Sequence, residues 1–131
     1  MSAKYDITVD FLTKSNFRPI HAGDDYDHDF IVFRAGSSLD ITGSKLWFTV
    51  KERSTDTDSQ AKLAYTSTDV TEMEITDPTG GKFTLHLKAA DTTNLEGTWL
   101  YDIQVKLSTD KLITIARGVI EFLPNITRAL S

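Results

Sequence analysis

Apolar and polar residues alternate with a period of two along much of this chain. Lys45-Leu46-Trp47-Phe48-Thr49-Val50-Lys51 puts Leu46, Phe48 and Val50 on one face, and residues 82–88 do the same with Phe83, Leu85 and Leu87. Residues 99–107 give a longer set of Trp99, Tyr101, Ile103, Val105 and Leu107. Successive side chains of a strand point to opposite sides, so each run predicts a strand with one buried and one wet face. The pattern predicts further strands at 5–11, 27–33, 61–66, 73–76, 112–116 and 119–123. Phe30, Ile31, Val32 and Phe33 are apolar in succession, which predicts a strand covered on both sides. Around Arg117-Gly118 the apolar parity changes, and a glycine there predicts a bulge.

Turn chemistry separates the runs. Asp77-Pro78-Thr79-Gly80-Gly81 and Ser108-Thr109-Asp110 are predicted hairpin loops, Ala35-Gly36-Ser37-Ser38 a turn, and residues 54–60 a mobile polar loop. Only residues 89–95 read as helical, a turn or two ahead of Gly97. About 7–9 short strands with frequent turns predict an all-β antiparallel sandwich, with a small barrel as the alternative. The chain has 131 residues, which fits one domain over 1–131 with one core, residues 1–17 forming an arm or an extra strand.

Composition narrows the classes of function. There is no cysteine, so disulfides, thiolate metal sites and a cysteine nucleophile are excluded. The formal charge is −5 and the 14 Lys and Arg are scattered, unlike the basic stripe of a nucleic-acid binder. No apolar run reaches the roughly 18 residues of a membrane span, and the N-terminal residues lack the apolar run of a signal peptide. A soluble protein made in the cytoplasm is the expectation, with no nucleic-acid or membrane partner.

The densest local feature is Gly23-Asp24-Asp25-Tyr26-Asp27-His28-Asp29. Clustered carboxylates suit a hard cation, which makes Asp25, Asp27 and Asp29 metal candidates. Their spacing matches the start of an EF-hand loop, but Phe30 stands where the turn glycine belongs and Gly36 where the bidentate acid belongs. On a strand the three aspartates share one face, as a solvated or aggregation-resistant surface, and no tight metal site is expected. His86 alternates with Leu85 and Leu87 and is placed on the surface. No G-x-S-x-G elbow and no phosphate-binding glycine loop occurs, so neither catalysis nor a cofactor is expected. Trp47 and Leu100 fall on the outward faces of regular strands, which marks them as interface candidates. Trp47 also suits a sugar-stacking platform, or a place beneath a loop or the N-terminal segment.

Several of these landmarks stand in order. Ala22-Gly23-Asp24-Asp25 precedes a strand, and Leu39-Asp40-Ile41-Thr42-Gly43 leads into the strand ending at Val50-Lys51. A short helical turn precedes Gly97-Thr98-Trp99-Leu100-Tyr101-Asp102-Ile103, and a last strand runs into Asn125-Ile126-Thr127-Arg128. Over roughly residues 18–128 this resembles the immunoglobulin-like domains of tailed-bacteriophage structural proteins, of the type at the N-terminus of baseplate upper proteins. The resemblance implies an immunoglobulin-like sandwich and a non-enzymatic tail or baseplate part, located in the virion. Its partners would be other phage structural proteins, and the protein would be a homo-oligomer or present in many copies. Family examples often continue into a fibre-like region, whereas this chain stops three residues after Arg128. A capsid decoration protein and a carbohydrate-binding module for host-surface glycans are the rival readings.

Overall fold

The structure, a computed structural model, describes residues 3–10, 20–34, 37–52 and 61–124, the first stretch by its backbone. Among these described residues ten strands and one helical turn follow in the order β1 (Ala3–Asp10), β2 (Ile20–His21), β3 (Tyr26–Arg34), β4 (Ser37–Ser38), β5 (Lys45–Lys51), β6 (Leu63–Thr66), β7 (Met73–Asp77), β8 (Lys82–Leu87), α1 (Ala89–Thr92), β9 (Gly97–Lys106) and β10 (Leu112–Leu123). They form two five-stranded sheets. The first runs β1-β3-β8-β7 with β4 appended to β3, and the second runs β2-β10-β9-β5-β6. The fold is an all-β sandwich.

The alternation seen in the sequence sets the inner layer. Leu46, Phe48 and Val50 from β5 are buried, as are Phe83, Leu85 and Leu87 from β8 and Tyr101, Ile103 and Val105 from β9. Trp99 and Leu107 are half-buried and pack against this core. In β3 the inward set is Tyr26, His28, Phe30 and Val32, while Asp27, Asp29, Ile31 and Phe33 are half-buried on the other side. Phe30 and Phe83, opposite each other across β3 and β8, stack with ring centres 4.8 Å apart.

Several boundaries differ from expectation. Residues 112–116 and 119–123 belong to one strand, β10, whose pairing with β9 shifts between Thr114 and Ala116. The bulge therefore sits at Ile115, not at Arg117-Gly118, and Gly118 pairs regularly with Tyr101. The extra residue lets Ile115 and Ala116 both be buried in succession, which is the source of the parity change. Two pairings were not legible from alternation: β1 lies parallel to β3 from Ala3↔Tyr26 to Asp10↔Phe33, and β2 lies parallel to β10. Both lie at sheet edges. The predicted loop at 54–60, the turn residues Ala35 and Gly36, Phe11, and the segment 125–128 lie outside the described residues.

The β7–β8 hairpin holds the first sheet against the β4–β5 connection. Gly81 has φ +69°, and a Cβ there would lie 2.6 Å from the Leu39 carbonyl oxygen and 2.9 Å from that of Val32. The close approach is used, because the Val32 amide donates to the Gly81 carbonyl at 2.9 Å. Helix α1 is tied to the start of β3: the Ala89 amide donates to Asp25 Oδ1 at 2.7 Å, and the Gly23 amide donates to Thr92 Oγ1 at 3.0 Å.

Candidate protein-interaction face

The acidic run is taken apart by the fold. Asp25 precedes β3 and caps α1 through the Ala89 amide. Asp27 Oδ1 lies 2.6 Å from His86 Nδ1, and Asp29 Oδ1 accepts the Thr84 hydroxyl at 2.7 Å. Asp27 and Asp29 share the outer face of the first sheet, as period two requires, but each is engaged by a different residue of β8. His28 points the other way, into the core, and stacks on Tyr26 with ring centres 5.9 Å apart. Burial pushes its pKa down to about 4 against the pull of Asp27 and Asp29, so the imidazole is neutral at pH 7. The residue nearest in sequence to the aspartates is thus on the far side of the sheet from them. No group of three His, Asp or Glu suited to a metal ion occurs among the described residues.

His86 is more than a surface histidine. It is half-buried on the outer face, with Asp27 on one side and Glu74 Oε1 3.5 Å from its Nε2 on the other. This links β3, β8 and β7 across the face of the first sheet. The linkage joins residues distant in sequence, so only the strand pairing reveals it.

The outer face of the second sheet is different in kind. Opposite rows can be read from the register: Lys51 faces Leu100, which faces Val119; Thr49 faces Asp102, which faces Arg117; and Trp47 faces Gln104, which faces Thr114. A groove of about 370 Å³ runs over this surface, lined among others by Lys51, Leu100, Asp102, Arg117 and Val119. Leu100 is 37% exposed and Val119 43% exposed, side by side on neighbouring strands. Trp47 is half-buried on the same face, outside the groove lining. It lies on the second sheet whereas β1 belongs to the first, so the N-terminal strand does not cover it.

Leu100 and Trp47 were legible as outward residues from alternation alone. Val119 alternates with Ile120 and Phe122 and carried the same signal. Arg117 was obscured because the bulge was expected at Arg117-Gly118. The groove offers shape, charge and the apolar side chains of Leu100 and Val119.

No family model matches the sequence, and no curated protein matches it. Among solved structures the chain is similar to the N-terminal domain of phage TP901-1 ORF48, with a TM-score of 0.61 over 92% of this chain and 98% of that one. The two sequences are 8% identical, so what they have in common is the fold.

Proposed function

We propose that this protein is a non-enzymatic structural module of a bacteriophage virion, associated with the tail or baseplate, and that the outer face of its second sheet is a contact surface. The fold likeness to the N-terminal domain of a phage protein over nearly the whole of both chains is the observation that carries this reading. The strand order supports an immunoglobulin-like description, because β1-β3-β8-β7 and β2-β10-β9-β5-β6 correspond to the A-B-E-D and G-F-C arrangement with additional edge strands. The parallel β1–β3 pair departs from that pattern and supports an N-terminal arm laid along an existing edge.

The groove suits protein contact. Leu100 and Val119 form an apolar centre within a rim of Lys51, Asp102 and Arg117, the layout in which a few desolvated side chains dominate binding. Replacing both apolar residues with arginine, L100R together with V119R, tests it. Both side chains are outward, so the expected thermal stability is near that of the wild type. Incorporation into particles, followed by mass spectrometry of purified virions, is expected to fall at least about tenfold, the loss of roughly 1.4 kcal/mol of contact. Normal incorporation of a folded double variant would remove the groove from the proposal. Absence of the wild-type protein from particles would remove the virion role itself.

The glycan-binding reading draws on Trp47, which is half-buried rather than presented as an open platform. It therefore stands second.

A further inference from the structure

The two outer faces of the sandwich differ in charge. On the second sheet the outward positions of β5, β9 and β10 include Lys45, Lys51, Lys106 and Arg117 against Asp102 and Glu121. Lys106 Nζ lies 3.8 Å from Asp110 Oδ1. On the first sheet the outward positions of β3, β8 and β7 include Asp27, Asp29 and Glu74 against Lys82. His86 sits among those carboxylates. A chain of net charge −5 thus carries a basic face on one side and an acidic face on the other. Each face also has an apolar part: Leu100 and Val119 on the basic side, half-buried Ile31 and Phe33 on the acidic side.

We propose that copies of this chain associate face to back, the basic outer face of the second sheet seating on the acidic outer face of the first sheet of the next copy. The proposal deepens the contact-surface reading above by naming its partner as a second copy. Like faces would set Lys51 and Arg117 against their own kind, which repels, whereas unlike faces match in sign. The two faces lie on opposite sides of one sandwich, so the contact is heterologous. It propagates as a stack, or closes into a ring if the rotation allows.

The available area sets the strength. Five strands about 4.8 Å apart and seven residues at about 3.3 Å each give a face of roughly 550 Å². Two such faces bury about 1,100 Å², near the lower limit of specific interfaces. The association is therefore weak, dependent on concentration, and reduced by salt.

Sedimentation velocity on the purified full chain tests this, at low ionic strength and again in about 0.5 M salt. Wild-type protein is expected to gain mass with concentration at low salt and to lose most of that gain at high salt. Two charge-reversed proteins then separate the faces: K51E/R117E turns the basic face acidic, and E74K/T76K, at two exposed positions of β7, turns the acidic face basic. Each alone is expected to bind itself at least about tenfold more weakly, and mixing the two is expected to restore association. If K51E/R117E failed to fold, K51Q/R117Q would carry the same test with a smaller loss. Wild-type protein that stays monomeric throughout overturns the proposal, as does a mixture no more associated than its parts. If the wild type is monomeric yet L100R/V119R is lost from particles, the contact face stands and the self-stacking falls. If the wild type stacks but is absent from particles, the self-stacking stands and the virion role falls.

Discussion

At the scale of single residues, His28 shows how a polar group is accommodated in this core. It stands on the inner face of β3, 1% exposed, beside Tyr26. The unfolded chain takes up a proton on this ring near the ordinary pH of 6.5, and the folded chain only near 4. Between those values the unfolded state holds the extra proton, so stability falls as pH drops from about 6.5 toward 4 and is fully present above. The gap corresponds to a loss on the order of 3 kcal/mol. Urea denaturation across this range is expected to show that slope in the wild type and a flatter one in His28→Leu. Parallel profiles would mean that His28 is not its source. Tyr65 is a second such residue. Its hydroxyl donates to Asp91 and accepts the Lys88 amide at 3.1 Å, and burial, with the Asp91 bond, raises its pKa. Tyr65→Phe removes both bonds at one end of α1, with an expected cost of about 1–2 kcal/mol in chemical denaturation. A change within error would mean that water replaces the hydroxyl.

At the scale of elements, the turns carry most of the local specification. Asp40, Asp69 and Asp77 each stand two residues before a threonine whose hydroxyl bonds back to the carboxylate. These aspartates fold turns rather than gather a ligand. At the β9–β10 hairpin Asp110 adopts φ +68°, a conformation that suits glycine. Asp110→Gly is expected to raise stability by about 0.5–1 kcal/mol in thermal or urea unfolding, since the exposed pair with Lys106 contributes little. A destabilised variant would contradict this reading. Gly81→Ala is expected to cost roughly 3 kcal/mol, because its Cβ would meet two backbone oxygens. Elements of this kind were readable in the sequence wherever period two ran unbroken, as in β5, β8 and β9. The long β10 was read as two strands because one inserted residue, Ile115, resets its alternation. The two-residue β2 and β4 are too short for any period to register. The acidic run was legible as one face of a strand, yet its partners His86 and Thr84 lie more than fifty residues away and follow only from the β3–β8 register.

At the scale of the whole molecule, two sheets close over one apolar layer and leave two large faces for other work. One is linked by Asp27, His86 and Glu74, and the other carries the groove with Leu100 and Val119. None of the helices among the described residues is long and apolar enough to cross a membrane. Under the proposed function the sandwich would act as a carrier of contact surfaces, which suits a part repeated within an assembly. Fold was recoverable from pattern because burial enforces it residue by residue. The contact faces were only partly recoverable, because an outward residue satisfies alternation whatever its neighbours on adjacent strands are.

As proposed above, the protein is a part of the virion. Immunogold electron microscopy of purified phage particles, with an antibody raised to this protein, tests it most directly. Gold at the tail tip is the expected result. Gold over the head would place the protein in the capsid instead. Unlabelled particles, with the epitope shown to be accessible on the free protein, would contradict the account.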